Sequence, residues 1–386
     1  MMARESTTPD RSLRIAMMLE SDGPGGAEMM IFRLSEELRR RGHVVVPVGP
    51  LRGIGWLGDL FRNAGFTPET FYLDRPIDFP LVKRFMDLFR RQSIDVVHSH
   101  EFTMAVYGST AARFLSIPHV MTMHGGLKVT KALRRRIALR HAMRQSGVAV
   151  AVSGATRDQF ARDLGVPPSA FTVVHNGVPV IRGDAARVRA EFGVTDADTV
   201  ILAVGTLERN KNHRGLLEAL VMLRGDVTVP WKLIIAGGRG GDQHQSLLEY
   251  TREQHIDDRV HIVTGRNDIA DLQALADIFV MPSLWEGLPM ATLEAMCAGN
   301  AVIASATGGI PEAVDDGRDG ILVPPGDTEA LSRALRRLLT DPRLRETLAA
   351  SALARAHRDF TVEVMADRYL ELYHGLLAGR SRKPAA

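Results

Sequence analysis

Short β-branched runs alternate with helix-patterned stretches along this chain, and the alternation is laid down twice. In the first half LRIAMML precedes AEMMIFRLSEELRRRG and HVVVPVG, and IDVVHSH, HVMTMHG and GVAVAVS follow. Strands of this kind, bounded by Gly and Pro and separated by helices, indicate a parallel sheet covered by helices. The segment AFTVVHNGVPVIRGDAARVRAEFGV reads as a crossing into a second unit, which restarts with VILAVG and continues through WKLIIAGG, VHIVTG, DIFVMPS, NAVIAS and DGILVPPGD. Each of these runs apart from the last is followed by a helical or loop segment. At 386 residues the chain is long for one core, so two domains of roughly 180–200 residues are expected. The fold class is therefore α/β, with two doubly wound parallel-sheet domains whose ligands bind at the carboxyl ends of the strands.

Composition narrows the classes of function. Hydrophobic residues make up 45% of the chain, which excludes a disordered protein. Cys297 is the one cysteine and lies in an apolar helix pattern, so a disulfide framework and a cysteine-based zinc site are excluded, in keeping with a reducing cytoplasm. The polar start MMARESTTPDRS and the short run LRIAMML do not form a secretion signal, and no run reaches membrane-span length. Any meeting with a membrane is expected at its surface. Residues 1–180 carry 24 Lys+Arg against 16 Asp+Glu, net +8, whereas residues 181–386 carry 24 against 29, net −5. The two halves are expected to meet different partners.

The most informative stretch is SLWEGLPMATLEAMCAGNAVIAS, in which seven residues separate Glu286 from Glu294. The preceding ADIFVMPS reads as a buried strand, and Leu293, Met296 and Cys297 fit a helix that starts after Pro289. Glu286 then lies on a loop and Glu294 in the helix, a placement suited to two hydroxyl-rich parts of one elongated ligand. In VGTLERNKNHRGLLEAL, Gly205 ends a strand, Arg209 and Lys211 occupy the loop, and a helix begins near His213. Two long cations there are placed to hold a diphosphate, or are simply a solvated loop. The loop SDGPGGAE (21–28) is either an anion site at a helix N-terminus or an ordinary turn; Glu28 occupies the third glycine position of the dinucleotide fingerprint, which excludes that motif.

Three histidines fall at strand ends of the first half. Alternation puts His98 and His100 on one face of their strand, but no carboxylate or cysteine joins them at ligand spacing, so no metal site is assigned. His124, followed by two glycines, is expected to be exposed at a tight turn. The stretch TKALRRRIALRHAMRQS (130–146) reads as a basic amphipathic helix, suited to anionic lipid, to an acidic partner, or to solvent. Nucleic acid is not expected, since aromatics are 6% of the chain and none interleave with these arginines.

Taken in order, GPGGAE, DVVHSH, TMHGG, AVSGATRD, VHNGV, VGTLERNKN, WEGLPMATLEAM, GGIPEAVDDG and DGILVPPGD resemble the retaining glycosyltransferases of the GT-B fold, in the group 1 (family 4) class. The resemblance spans nearly the whole chain. It implies two Rossmann-like domains facing a cleft: residues 1–180 bind the acceptor, residues 181–364 bind the nucleotide sugar, and a C-terminal helix in 365–386 crosses back to complete the first domain. It implies sugar transfer from a UDP- or GDP-sugar to a glycan, lipid-linked or small-molecule acceptor with retained configuration, usually without a metal ion. By that resemblance Glu294 bonds the ribose, Glu286 the donor sugar, and Arg209 with Lys211 the diphosphate. Gly25 and Gly26 close over the phosphates from the opposite domain. Gly205, Gly265, Gly287, Leu288 and Met290 complete the donor site, and His124 orients the sugar or acceptor. The implied mechanism is front-face, with the leaving phosphate taking the acceptor's proton.

Two positions depart from the family's commonest pattern. Thr206 stands where many members have Arg, so the cation must come from Arg209; and Glu286-Gly287-Leu288-Pro289 replaces Glu-Gly-Phe-Gly, with Pro289 unable to donate a backbone N–H. A nucleotide-sugar epimerase on the same fold and a non-catalytic nucleotide-sugar sensor are the alternatives. An epimerase would turn over without acceptor, and a sensor would not turn over at all. The pattern of residues 50–80 is too irregular to read, and the base, sugar, acceptor and oligomeric state are not encoded in any motif.

Overall fold

A computed structural model describes residues 11–21, 23–50, 55–73, 78–125, 132–238 and 242–381. The chain divides into two compact units. The first comprises Met1–Ala151, Gln159–Thr172 and Ala366–Ala386, and the second Val152–Asp158 and Val173–Met365.

The strands and helices up to the second unit's sheet are β1 (Arg14–Met18), α1 (Gly26–Arg40), β2 (Val44–Pro50), α2 (Trp56–Asn63), β3 (Glu69–Phe71), α3 (Phe79–Arg91), β4 (Val96–His100), α4 (Glu101–Phe114), β5 (His119–Met123), α5 (Leu133–Gln145), β6 (Val148–Ala151), α6 (Gly154–Leu164) and β7 (Phe171–Val173). Seven strands form one sheet in the order β3-β2-β1-β4-β5-β6-β7. Ile15 of β1 lies opposite Val45 on one side and Val96 on the other, both pairings parallel. β4 and β5 are buried along their whole length, polar residues included, so His98, Ser99 and His100 of β4 and His119 and Thr122 of β5 lie inside the fold. Helices cover the faces because their apolar residues recur at helical spacing: Met30, Ile31, Leu34 and Leu38 in α1, and Leu81, Phe85, Leu88 and Phe89 in α3, are all buried. Asp78 caps α3 by accepting from the Leu81 N–H at 3.2 Å.

The second unit contains α7 (Ala185–Arg189), β8 (Thr199–Val204), α8 (His213–Val221), β9 (Trp231–Gly237), α9 (His244–Glu253), β10 (Val260–Thr264), α10 (Ile269–Leu275), β11 (Ile278–Met281), α11 (Met290–Ala298), β12 (Ala301–Ser305), α12 (Ile310–Ala313), β13 (Ile321–Val323), α13 (Thr328–Thr340) and α14 (Pro342–Asp359); the last helix is α15 (Val362–Ser381). Its six strands run in the order β10-β9-β8-β11-β12-β13, with neighbouring strands paired in parallel. Asp327 and Asp341 cap α13 and α14 by accepting from the Ala330 and Leu344 N–H groups at 2.8 and 3.0 Å.

The last helix begins in the second unit, where Val178 N–H donates to Phe360 O and its carbonyl accepts from Val362 N–H on either side of Thr361, and from Ala366 onward it belongs to the first. There Tyr369 and Tyr373 are fully buried against the sheet. Two Rossmann-like parallel sheets and a helix returning to the first are therefore present. Three local readings need correction. Residues 50–80 are not irregular where described, since they hold α2 and β3; β13, like the other strands of its sheet, is followed by a helix, α13; and the C-terminal helix expected in 365–386 starts earlier, at Val362, and runs through Ser381, with 382–386 outside the described residues.

Candidate functional site

In a doubly wound sheet the strand order reverses at one point, and the loops leaving the two strands there diverge to opposite faces, opening a crevice at their carboxyl ends. In the second unit that point lies between β8 and β11. The loop after β8 carries Gly205, Arg209 and Lys211; the loop after β11 carries Glu286, Gly287 and Leu288 and runs into α11 at Met290. Two residues 75 apart in sequence meet here: Lys211 Nζ donates to Glu286 Oε1 at 2.6 Å, with their side chains only 20% and 11% exposed. Desolvating such a pair is costly unless its geometry is held, and the structure shows how it is held.

Arg209–Lys211 form one 3-10 turn, closed by Asn212 at φ 52° in the left-handed region. The two loops are tied by Leu284 N–H donating to Asn210 O at 2.8 Å and by Asn210 Nδ2 donating to Trp285 O at 2.9 Å. From β12, Gly309 N–H donates to Glu286 O at 3.3 Å. Gly308 has φ +55°, and a Cβ there would lie 1.6 Å from Glu286 O, so only glycine lets this loop press on the glutamate's backbone. Ser153 Oγ donates to Gly287 O at 3.0 Å and Asn176 Nδ2 to Leu288 O at 3.0 Å. Glu312, in α12, accepts from the Gly154 and Ala155 N–H groups and from His175 Nε2 at 2.8–2.9 Å; burial acts to raise its pKa, but these donors hold it below the ordinary carboxylate value. The double glycine and Glu312 lie in GGIPEAVDDG, Ser153 in AVSGATRD and Asn176 in VHNGV; the sequence marked these motifs but gave neither the glycine pair nor Glu312, Ser153 and Asn176 a role.

Arg209 is exposed and pairs with none of the described residues, leaving its guanidinium free for a ligand. Leu288 and Met290 are buried anchors, Pro289 is the N-cap of α11, and Glu294 is half-buried one turn inside that helix. Gly205 packs against Lys211, its absent Cβ 3.3 Å from Lys211 Cδ. Gly265 directly follows β10, and its N–H donates to Gly237 O at the end of β9 at 3.2 Å; β9 separates β10 from β8.

The first unit's switch point lies between β1 and β4. Gly25 is the N-cap of α1 and Gly26 its first residue; a Cβ at Gly25 would fall 2.2 Å from Glu28 Oε2, so the glycine lets this carboxylate fold back. Ser21 Oγ lies 2.5 Å from Glu28 Oε1 and 3.4 Å from Glu101 Oε2. Burial, reinforced by Glu28 and Glu20, raises Glu101 to about 7. At the end of β4, His98 and His100 do share a face, their rings 4.1 Å apart. His98 bonds Tyr373 Oη at 2.6 Å and Thr122 Oγ1 at 2.8 Å. His100 Nδ1 lies 3.0 Å from His124 Nε2. His124 is not the exposed residue its glycine-rich turn suggested: burial lowers its pKa to about 4, and lowers His119 to about 3 and His98 and His100 well below the ordinary value. These imidazoles are neutral at pH 7. Among the described residues no group of three or more His, Cys, Asp or Glu could hold a metal ion.

A family model described as glycosyl transferases group 1 matches residues 184–355, and one described as Glycosyltransferase Family 4 matches residues 24–182. The D-inositol 3-phosphate glycosyltransferase of Saccharomonospora viridis is 32% identical over 74% of this chain and 70% of its own. The chain belongs to the group 1 glycosyltransferases. The N-acetyl-alpha-D-glucosaminyl L-malate synthase of Bacillus anthracis is 24% identical over 92% of the chain and 94% of that protein. Among solved structures, Anabaena HepE in complex with UDP superposes with a TM-score of 0.81 at 22% identity, covering 94% of this chain and all of that one, which shows the shared fold. This glycosyltransferase is thus a GT-B enzyme that moves a sugar from a nucleotide-sugar donor to an acceptor.

Proposed function

We propose that this glycosyltransferase is a retaining, metal-independent hexosyltransferase that takes a UDP- or GDP-sugar and works by a front-face mechanism. The observation that carries the reading is the Lys211–Glu286 pair at the second unit's switch point, with Arg209, which pairs with none of the described residues, on the same turn. A lysine ammonium has three donors, and one is used by Glu286. The others, with the Arg209 fork, suit the two phosphates and offset the charge that grows as the diphosphate departs. The second oxygen of Glu286 accepts from a hydroxyl of the donor sugar, and Glu294, in the helix that follows, accepts from the ribose. Gly205, Gly287, Leu288 and Met290 shape the pocket wall.

In the transfer step the bond from C1 to the leaving phosphate oxygen breaks, and the bond from C1 to the acceptor oxygen forms on the same face. The acceptor's proton passes to the departing phosphate oxygen, so no base from the enzyme is needed. The neutral state of His124 suits a positioning role, since a group with its pKa near 4 is a poor proton acceptor at pH 7. A cytoplasmic enzyme working at a membrane surface fits α5, where Leu133 and Ile137 are exposed beside Arg134, Arg135 and Arg144; residues 130 and 131 of that basic stretch lie outside the described residues.

The decisive test is product analysis by proton NMR with a nucleotide sugar and an acceptor, in buffer containing EDTA. The same anomeric configuration in donor and product, at a rate unchanged by EDTA, supports the reading. An inverted product overturns retention, loss of rate in EDTA overturns metal independence, and turnover of nucleotide sugar to its epimer without acceptor overturns the transferase reading.

A further inference from the structure

A neutral imidazole donates from one nitrogen and accepts at the other, and which does which is settled by what each nitrogen meets. His100 ends β4 and His124 directly follows β5, the neighbouring strand of the first unit's sheet. Nδ1 of His100 lies 3.0 Å from Nε2 of His124, and Nε2 of His100 lies 3.1 Å from Sδ of Met17 in β1. Burial keeps both rings neutral at pH 7, so a single hydrogen lies between the two imidazoles.

The thioether of Met17 decides which ring supplies it. Its sulfur has no proton and can only accept, so the hydrogen of that contact is on His100 Nε2. His100 Nδ1 is then bare, and His124 donates to it through Nε2–H. That leaves His124 Nδ1 bare as well, with no hydrogen-bond partner among the described residues. His100 has no freedom to turn over: it is fully buried, its ring lies 4.1 Å from that of His98, and a flip would put carbon in place of nitrogen at both contacts. His98 is held in turn by Tyr373 and Thr122.

His119, on β5, obeys the same logic with the opposite result. Its Nδ1 lies 2.7 Å from Ser146 Oγ, whose one proton goes to Ala142 O at 2.8 Å. Ser146 therefore accepts, His119 carries its hydrogen on Nδ1, and its Nε2 accepts from Ser99 Oγ at 2.9 Å. One sheet holds both tautomers, each fixed by its neighbours.

We infer that Met17 and His100 are positioning residues for the transfer: they fix His124 as the Nε2–H tautomer, so that its bare Nδ1 accepts a hydrogen bond from a substrate hydroxyl. The other tautomer would present an N–H at that place and favour an ether, carbonyl or phosphate oxygen. The relay thus selects a hydroxyl over an anion without using a charge. His124 keeps its proton throughout, and the hydroxyl belongs either to the donor sugar or to the acceptor. This inference rests on the transferase reading, from which it takes the hydroxyl-bearing substrate, whereas the tautomers belong to the protein alone.

The test is long-range proton–nitrogen correlation NMR of the histidine rings in the full-length protein at pH 7, with resonances assigned through His100→Gln, His119→Gln and His124→Gln. The wild type is expected to show a protonated Nε2 and a bare Nδ1 in His100 and His124, and the reverse in His119. Met17→Leu keeps the core volume and removes the sulfur. It is expected to move His100 and His124 toward the Nδ1–H form and to leave His119 unchanged, a signature that loosened packing alone would not give. In the same variant, release of nucleotide from UDP-glucose or GDP-mannose, with water as the acceptor, is expected to lose about fivefold in kcat/KM, the worth of one weak hydrogen bond. A loss in KM for the nucleotide sugar assigns the hydroxyl to the donor, and a loss in kcat alone assigns it to the acceptor. A hydrogen on His124 Nδ1 in the wild type overturns the inference even if Met17→Leu fails to fold. Tautomers that Met17→Leu leaves in place overturn it too, as does wild-type turnover in a variant whose tautomers have changed. The expected tautomers in a protein that binds neither nucleotide sugar sink the transferase reading beneath the inference, not the placement of the hydrogens.

Discussion

The two switch points have charge opposite to the domains that carry them. The first half of the chain has a net charge of +8, yet its switch point sets the carboxylates of Glu28 and Glu101 around Ser21, and the neutral pair His100 and His124 stands at the ends of β4 and β5. The second half has a net charge of −5, yet its strand ends offer Lys211 and Arg209. Net charge is a property of the solvated faces; the site is set by the few side chains that the strand order brings to the crevice. The difference suits the donor, since a nucleotide diphosphate is anionic and needs the cations.

The strongest attack on this contrast is Lys211→Ala. Steady-state kinetics are expected to show kcat/KM lowered by about 10²–10³. Because the change leaves the Glu286 carboxylate buried beside nothing, stability should fall by about 2–3 kcal/mol in a urea titration. The double change Lys211→Met with Glu286→Leu should restore most of that stability and none of the activity, which separates the pair's structural cost from its catalytic use. Unchanged kinetics in Lys211→Ala would remove the cation from the account.

Lowering the pH should act on the first unit. The folded-state pKa values of its histidines lie below the ordinary 6.5, at about 4 for His124 and about 3 for His119. The unfolded chain therefore binds protons first, and stability, full above pH 6.5, is lost as the pH falls toward 4. Glu101 has the opposite sign: raised from 4.5 to about 7, it contributes fully below 4.5 and loses that contribution as the pH rises through 7. The histidines outnumber it, so a net loss of about 2–4 kcal/mol between pH 7 and pH 5 is expected in urea titrations. Glu101→Gln should raise Tm at pH 8 and leave it unchanged at pH 4; the reverse pattern would show that its carboxyl is not destabilised by burial.

Gly308→Ala probes the second unit without touching a charge. Added strain at φ +55° and the clash with Glu286 O should cost about 2–3 kcal/mol and displace Glu286, weakening nucleotide-sugar binding more than nucleotide binding. Equal loss of both would mean that the glycine loop supports the fold alone. Smallest is Tyr373→Phe, which leaves His98 without its 2.6 Å partner and should cost about 1 kcal/mol, with nucleotide affinity unchanged.

Local pattern told most about the elements and least about what meets what. The apolar run before Glu286 and the proline at 289 placed β11 and the start of α11 correctly, because burial and the missing N–H act on nearest neighbours. That Lys211 would sit against Glu286 was not legible, since 75 residues separate them and only the strand order joins β8 to β11. His124 was misjudged as exposed for the same reason, its neighbour His100 lying on a different strand. The stretch 50–80 defeated reading because β3 is three residues long and owes its pairing to β2 rather than to its own composition. Gly308 was visible as a glycine, but its need for φ > 0 follows from the Glu286 backbone that it touches.

The central claim is that the second unit's switch point grips a nucleotide diphosphate through Lys211 and Arg209 and its ribose through Glu294. Calorimetric titration with UDP and GDP of the wild type, Lys211→Ala and Glu294→Ala tests it most directly. One nucleotide should bind the wild type, with a loss of about tenfold or more in each variant. Full affinity in both variants, or no binding of either nucleotide to the wild type, would contradict the claim and return the sensor reading, with some other ligand, to the front.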